Sequence, residues 1–96
     1  MTGGFAVRAL PRFARELETL AKQHPELVEL YVYALSVLRE DPHNIGHRHA
    51  IKKLRAIEPG EGQYRLRLRR FRIRYDIVAR EVVLLDVSLR REDTYR

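Results

Sequence analysis

Two stretches in the second half of the chain alternate strictly between apolar and mostly basic residues. They read Tyr64-Arg65-Leu66-Arg67-Leu68-Arg69 and Phe71-Arg72-Ile73-Arg74-Tyr75-Asp76-Ile77. A period of two sends successive side chains to opposite faces of a β-strand, so each stretch predicts a strand with one buried face. The link at Arg69-Arg70 is short enough for an antiparallel hairpin. Any fold for this chain must therefore cover one side of the hairpin with a second apolar layer.

The alternation also selects the register of the hairpin. A turn at Arg69-Arg70 pairs Leu68 with Phe71 at one end and Tyr64 with Tyr75 at the other. The apolar residues then share one face, and four basic residues share the opposite face: Arg65, Arg67, Arg72 and Arg74. A slip of one residue would mix the two faces. Because like charges directly opposite each other repel, we interpret this face as a surface for a polyanion rather than as a merely solvated one.

Helical periodicity dominates the first half of the chain. A short strand is predicted at Phe5–Ala9, and Pro11 then suits the first turn of a helix that runs to Gln23. Pro25 begins a second helix, which ends at Asp41-Pro42. The tight link between the two predicts an antiparallel helical hairpin.

The remaining segments are a loop-rich region and a last strand. Residues 43–62 are rich in turn-forming residues, and Ala50–Ile57 within them fits either a turn of helix or a short strand. Val82–Leu89 is apolar enough for a central strand. Its odd-numbered residues are expected to extend the apolar face: Val83, Leu85, Val87 and Leu89. Asp86 then falls beside Arg74 on the basic face.

Together these elements predict an α+β fold in a single domain, residues 1–96. The expected architecture is a short N-terminal strand and an antiparallel two-helix hairpin packed on one face of a three- to four-stranded, mainly antiparallel sheet. The helices are expected to cover the apolar face of the strand hairpin, which leaves the basic face open.

The charge distribution supports a polyanion-binding role. The chain carries 19 Lys and Arg against 13 Asp and Glu, a net charge of +6. Residues 1–42 contain five basic and six acidic residues, a net of −1, whereas residues 43–96 contain 14 basic and seven acidic residues, a net of +7. Sixteen of the 19 basic residues are Arg, whose planar guanidinium suits two-point contact with phosphate.

Other classes of site are not indicated. With no cysteine, the chain has neither disulfides nor thiolate metal ligands, and a cytoplasmic location is the simplest expectation. No apolar run approaches the ~20 residues of a membrane span. His47 and His49 lack an identifiable third ligand, so no metal is predicted, and no cofactor-binding or nucleophile motif is present.

The order of these segments resembles the RelE/ParE superfamily of toxins from bacterial toxin–antitoxin modules. The resemblance covers nearly the whole chain and is most specific in residues 64–77, in Val82-Val83-Leu84-Leu85 and in the tail Arg90-Arg91-Glu92-Asp93-Thr94-Tyr95-Arg96. Ile51-Lys52-Lys53-Leu54 also looks like the linker of that family. The resemblance implies a toxin that a cognate antitoxin neutralises in a hetero-oligomer, with no cofactor and no membrane association.

RelE-type members of this superfamily cut messenger RNA in the ribosomal A site without a metal. The ribose 2′-OH attacks the adjacent phosphate and leaves a cyclic phosphate. The resemblance implies that Arg72 binds the transition-state phosphate, that Arg91 gives a proton to the leaving oxygen, and that Tyr95 stacks on or orients the nucleotide. Arg65 and Arg67 are the implied basic pair of the second strand. Further contacts to RNA phosphates are expected from nearby basic residues: Arg74, Arg90, Lys52 and Lys53.

The chain departs from the RelE pattern at three places, and these leave open the general base, the role of Ser88-Leu89 and which of Arg90 and Arg91 faces the site. RelE uses lysines in the second strand where this chain has arginines, and arginine, with a pKa above ~12, is a poor proton acceptor. The general base is therefore unassigned among three candidates: Glu61, His47 and Asp93. Many relatives have Gly-His or Gly-Lys where this chain has Ser88-Leu89. Strand parity directs Arg90 rather than Arg91 to the basic face, unless a bulge lies near Leu89.

Two rival functions are compatible with the same fold. ParE-type members of the superfamily inhibit DNA gyrase and typically lack the complete basic set. A nucleic-acid-binding relative without toxicity is a third interpretation. The cluster of arginines retained here favours RNA cleavage.

Overall fold

Seven elements follow one another in residues 4–90, the part of the chain that this computed structural model describes. The helices are α1 (Pro11–Gln23) and α2 (Glu26–Glu40). The strands are β1 (Ala6–Ala9), β2 (Ile51–Lys53), β3 (Tyr64–Leu68), β4 (Phe71–Val78) and β5 (Glu81–Leu89). They form one sheet in the order β1-β5-β4-β3-β2, in which β1 runs parallel to β5 and the other neighbours are antiparallel.

The α+β architecture predicted from the sequence is confirmed, but the sheet has five strands rather than three to four. The segment that fits either a turn of helix or a strand forms the edge strand β2, in which Ile51 pairs with Leu66. The N-terminal strand joins the far edge of the sheet, where Ala6 pairs with Glu81.

The β3–β4 hairpin has the predicted register. Its end pairs are Tyr64 with Tyr75 and Leu68 with Phe71, as the alternation requires. The hairpin turns at Arg69-Arg70, where Arg69 has a φ of 56°, in the left-handed region. The prediction succeeded because only this register keeps every apolar residue of both strands on one side.

Both helices begin where proline and acidic residues favour a helix start. Pro11 is the first residue of α1, where its missing N–H breaks no helical hydrogen bond. Pro25 precedes α2, and Glu26 and Glu29 lie in the first turn of α2, where the helix dipole favours negative charge. In the described part of the chain, neither helix is long and apolar enough to cross a membrane.

The helices cover one face of the sheet, and the core lies between the two layers. It consists of buried apolar residues from both layers: Phe13, Leu27, Ala34, Leu38, Leu66, Leu68, Phe71, Ile73, Tyr75, Val82, Leu84 and Val87. The hydroxyl of Tyr75 donates a hydrogen bond to the carbonyl of Pro42 at 2.7 Å, which joins β4 to the segment after α2. Burial raises the pKa of this phenol above its usual value. The face without helices is called the open face below.

A β-bulge interrupts the pairing of β4 with β5. Arg74 pairs with Asp86, but the next pair along the strands is Tyr75 with Leu84. Leu85 is therefore an extra residue without a partner on β4, and the side-chain alternation of β5 changes phase at this point.

This bulge corrects the predicted orientation of the first half of β5. Val83 and Leu85 were expected to extend the apolar face, and that expectation is wrong, because Val82 and Leu84 join the core instead. Every residue from position 82 to position 85 is apolar, so the sequence carries no alternation that could have located the bulge.

Candidate phosphate-binding site

Two rows of side chains cross the open face, because residues directly opposite each other in adjacent strands point to the same side. The first, called the Arg72 row, consists of Arg67 on β3, Arg72 on β4 and Ser88 on β5. The second, called the Arg74 row, consists of Lys52, Arg65, Arg74 and Asp86. The sheet thus brings the four arginines of β3 and β4 to one face, as the alternation predicted.

The Arg72 row carries positive charge with no acidic residue to balance it. Arg67 is exposed and lies directly opposite Arg72, and the third member of the row, Ser88, is neutral. The Nε of Arg72 is buried and has no hydrogen-bond partner among residues 4–90. A buried N–H without an acceptor costs free energy, which a phosphate oxygen would recover. This row therefore offers an anion both uncompensated charge and an unused donor.

The Arg74 row is engaged in contacts within the protein. Arg74 donates from Nε to the carbonyl of Gly62 and from Nη2 to the carbonyl of Glu61, both at 3.0 Å. Two residues further along β4, the buried carboxylate of Asp76 accepts the N–H groups of Gly62 at 3.0 Å and Gln63 at 2.9 Å. Arg74 therefore holds the loop before β3, and its phosphate-binding role stays a prediction with less support than that of Arg72.

Asp86 lies beside Arg74, as predicted, and charges of both signs surround it. Burial and the neighbouring carboxylate of Glu16 raise the pKa of Asp86, while Arg74 and Arg12 lower it, and the net result is a raised pKa. With one carboxylate against three basic residues, Asp86 neutralises only part of the positive charge in its row.

The two lysines of β2 point to opposite sides of the sheet. Lys52 lies opposite Arg65 and belongs to the open face. Lys53 lies opposite Tyr64, and its Nζ is 5.7 Å from the centre of the Tyr64 ring. The structure therefore does not bring Lys53 to the basic residues, contrary to the expectation from sequence, because adjacent residues of a strand face opposite sides.

The end of β5 continues regularly past the bulge. Leu89 pairs with Phe71, and the N–H of Arg90 donates to the carbonyl of Arg70 at 2.6 Å. Among residues 4–90, the pairing of β5 with β4 shows no bulge at Leu89, and Arg91 lies outside the described residues. Alternation directs Arg90 to the side of the open face.

Three residues proposed for catalysis lie outside the described range: Arg91, Asp93 and Tyr95. Of the other two candidates for the general base, Glu61 lies in the loop that Arg74 holds, at the margin of the open face. His47 lies in the loop after α2, where its N–H donates to the carbonyl of Asn44. Within residues 4–90, no three His, Asp or Glu side chains are close enough together to bind a metal ion.

Two acidic residues that shape this face were missed from the sequence. In the sequence, Asp76 looks like one more residue at the end of an alternating strand. An acidic residue opposite a glycine-containing loop is a signal that could have predicted its contacts with that loop. Glu16 on α1 accepts the N–H of Val87 at 3.1 Å and forms an ion pair with Arg12. Nothing in the sequence indicates the Glu16 contact, because it joins residues 71 positions apart.

A second feature lies on the helical layer, away from the basic residues. It is an apolar groove lined by residues of β1, α1 and α2: Ala9, Phe13, Ala14, Leu17, Glu18, Ala21, Val28 and Tyr31. Val28 is 55% exposed, and Val32, one turn further along α2, is 62% exposed. Apolar surface of this kind, left in contact with water, is typical of a site for another protein.

The whole architecture is similar to that of a solved structure. A chain of the crystal structure of the toxin-antitoxin complex RelBE2 from Mycobacterium tuberculosis matches with a TM-score of 0.64 and 24% sequence identity. The match covers 91% of the present chain and 99% of the other. No family model and no curated protein matches the chain. The chain therefore has the RelE-type fold that the order of its segments implied.

Proposed function

We propose that this protein is the toxin of a toxin–antitoxin module and acts as a metal-independent endoribonuclease on messenger RNA in the ribosomal A site. The fold likeness supports the toxin class. The observation that carries the proposal is the pair Arg67 and Arg72, which face each other on an uncovered sheet with no acid in their row. Such a pair is unfavourable alone and becomes favourable when a polyanion covers it.

The proposed reaction breaks the bond between phosphorus and the 5′-oxygen. The 2′-oxygen loses its proton to a base and attacks the adjacent phosphorus, and the 5′-oxygen leaves with a proton from an acid. The products are a 2′,3′-cyclic phosphate and a 5′-hydroxyl. Guanidinium groups fixed in advance stabilise the charge that grows on the phosphoryl oxygens. Arg72 binds these oxygens, and basic neighbours bind the flanking phosphates: Arg65, Arg67, Lys52 and Arg90.

Proton transfer falls to residues around this centre. By the resemblance, Arg91 donates the proton to the leaving oxygen and Tyr95 stacks on or orients the attacked nucleotide. We assign the role of general base to Glu61, because arginine, with a pKa above ~12, does not accept a proton at neutral pH. Arg74 and Asp76 support this assignment, since they hold the loop that carries Glu61.

Induction of the chain in a bacterial host tests the proposal. The variants are the double substitution Arg72→Ala with Arg91→Ala and the control Arg39→Ala, which removes one positive charge from an exposed site on α2. We expect the wild type and the control to arrest growth and to leave cuts within codons, mapped by primer extension. The double variant should do neither while keeping its unfolding midpoint. Full toxicity of the double variant would refute the catalytic assignment.

The proposed partner is a cognate antitoxin that forms a hetero-oligomer with the chain. The apolar groove between α1 and α2 suits the apolar side of an amphipathic helix, and the Arg72 row suits an acidic segment. Co-expression of a small acidic protein encoded beside the gene is expected to restore growth. Val28→Asp should weaken this complex without reducing toxicity, since Val28 lies on α2, in the layer that covers the other face of the sheet.

A DNA gyrase inhibitor without nuclease activity is the second candidate. It is favoured by the composition of the two hairpin strands, whose basic positions are all arginine and offer no proton acceptor to a 2′-OH. Signs of DNA damage together with intact messages after induction would support this alternative. Harmless expression would instead indicate a nucleic-acid-binding relative without toxicity. Ribosome and gyrase are both cytoplasmic targets, in line with the location proposed from the absence of cysteine.

A further inference from the structure

A groove lies beside the Arg72 row, where β5 loses its neighbour in the sheet. β1 pairs with β5 only up to Leu84, so the rest of β5 borders α1 instead of a strand. Half-buried Leu20 and Leu89 and buried Val87 form its floor. Its rim consists of exposed polar residues: Arg15, Thr19 and Ser88.

Polar groups of the main chain also line this groove. Glu16 accepts the N–H of Val87 through one carboxylate oxygen and contacts Arg12 through the other, so both of its oxygens are engaged. The N–H of Arg90 bonds toward β4, so the odd-numbered residues in this half of β5 turn their N–H and C=O groups toward α1. Leu89 thereby presents one donor and one acceptor to the groove above an apolar floor.

Ser88 belongs to both surfaces. It is the cross-strand partner of Arg72, and it stands on the rim of the groove. Adjacent strands are about 4.8 Å apart, so the groove begins about one strand spacing beyond the Arg72 side chain. A nucleotide whose phosphate binds Arg72 therefore has its base within reach of the groove.

We propose that this groove is a subsite for one nucleobase of the RNA strand whose phosphate binds Arg72, an inference that rests on the proposed function. Single-stranded RNA is recognised through unstacked bases that contact protein side chains on their faces and hydrogen-bond at their edges. Here Leu20, Val87 and Leu89 contact the face of the base. The main chain of Leu89 and the hydroxyl of Ser88 hydrogen-bond its edge.

A base fits this groove better than a pairing strand from another protein does. A strand added to β5 would need the N–H of Val87 for its ladder, and Glu16 already occupies that donor. A planar base needs only one or two edge contacts and a flat apolar floor. Arg15 on the rim and Arg72 beyond it also attract the phosphates on either side of such a base.

The substitution Thr19→Trp tests the subsite, because an indole at this exposed position fills the groove. Ser36→Trp is the matched control, since it makes a similar change at an exposed position of α2. The substrate is a set of ribosomes programmed with messages that differ in one base of the A-site codon, assayed in single turnover. Thr19→Trp is expected to raise the half-saturating toxin concentration about tenfold or more. It is also expected to reduce the difference in cleavage between messages that differ in one base. Its rate at saturation should stay within about threefold of wild type, as for a binding defect.

Arg15→Gln provides a second, milder variant that does not crowd the helix. It is expected to raise the half-saturating concentration about threefold, and Ser36→Trp is expected to behave as the wild type. A Thr19→Trp protein with unchanged half-saturation and base preference would overturn the subsite and leave the proposed function intact. Unchanged cleavage together with lost antitoxin binding would also overturn it, by making the groove a protein-docking site. If the wild type cleaves no message, the proposed function fails and the subsite fails with it.

Discussion

Arg74 and Asp76 bind the same residue through its two polar groups. Arg74 donates from Nε to the carbonyl of Gly62, and Asp76 accepts the N–H of that glycine. Their second bonds, to the carbonyl of Glu61 and the N–H of Gln63, extend the contact to the residues on either side. These four bonds, called the 74/76 clamp, fix the loop against the open face. One arginine of the basic cluster is therefore part of the scaffold.

Loss of the 74/76 clamp is expected to destabilise the protein. Arg74→Met keeps the apolar stem and removes two hydrogen bonds, so we expect a loss of about 1–3 kcal/mol in the free energy of unfolding. Arg67→Met is the control, because exposed Arg67 belongs to the same face and the same change there should stay within about 0.5 kcal/mol. Urea unfolding measures both, and hydrogen exchange should accelerate at Gly62 and Gln63 only in Arg74→Met. Equal losses in the two variants would contradict the clamp.

Alanine substitutions at the two glycines of the same loop distinguish the cost of backbone strain from the cost of steric crowding. Gly60 has a φ of +95° with open space around its Cβ direction, whereas Gly62 has a φ of +85° and a Cβ there would lie 3.1 Å from Arg74. Gly60→Ala is expected to cost about 1–2 kcal/mol from the backbone alone. Gly62→Ala should cost a further ~1–3 kcal/mol, because the added methyl displaces the arginine. In the background of Arg74→Ala, the difference between the two alanine variants should shrink but not vanish when measured by urea unfolding, because the Cβ of residue 74, itself 3.1 Å from the added methyl, remains.

Arg72 is expected to contribute to activity at the expense of stability. It faces Arg67 and buries an Nε that has no acceptor among residues 4–90. Arg72→Met removes both defects and keeps the stem, so the free energy of unfolding should be unchanged or higher by up to about 1 kcal/mol. Toxicity on induction should be lost. A variant that is clearly destabilised and still toxic would show that Arg72 supports the fold rather than the substrate.

The substitution Asp86→Asn is expected to stabilise the protein at neutral pH. Burial and Glu16 raise the pKa of Asp86 above 3.8, so its ionisation is less favourable in the folded chain. The stability that this group contributes is complete below 3.8 and is lost as pH rises through the raised pKa. The asparagine variant should therefore exceed the wild type at neutral pH by about 1 kcal/mol or less. Urea unfolding at several pH values should show the gap closing in acid.

Asp41 supplies a control of opposite sign for that pH series. The N–H groups of Gly46 and Ile45 bond its carboxylate at 2.9 Å and 2.8 Å, and with nearby His49 and Arg48 they lower its pKa. Its contribution is present above 3.8 and is lost as pH falls through the lowered pKa. Asp41→Asn should destabilise the protein at neutral pH by about 1 kcal/mol or less, because solvent screens this exposed carboxylate, with a gap that also closes in acid. A stabilising Asp41→Asn would mean that the turn does not depend on this carboxylate.

The hairpin of β3 and β4 could be predicted to the residue because its two faces differ in chemistry. One face must be buried and the other carries charge, so a shift of register would bury arginines. The same reasoning located Asp86 beside Arg74. Helix boundaries were also recoverable, since Pro11 and Pro25 mark where each helix begins.

The remaining features depend on contacts that no local pattern encodes. The bulge at Leu85 lies in a run of apolar residues, where either phase of the strand satisfies the hydrophobic pattern. Lys53 follows Lys52 directly, and composition alone groups the two although their side chains lie on opposite faces of the sheet. The 74/76 clamp joins a strand to a loop, and the groove beside Ser88 is completed by α1. Such distant pairings become visible only once the sheet is assembled.

The extra residue at Leu85 lets a single strand serve two different surroundings. Before Leu85 the even-numbered residues of β5 face the core, and after it the odd-numbered residues do. Substitutions in one half of the strand therefore follow a different alternation from substitutions in the other half. Changes of length are another matter. A strand that kept Leu85 in regular pairing would turn Ser88 inward beneath the helices and Val87 outward beside Arg72, whereas a strand without Leu85 would keep both orientations. A scaffold that receives the whole of β5 would therefore have to accommodate the bulge as well as the side chains.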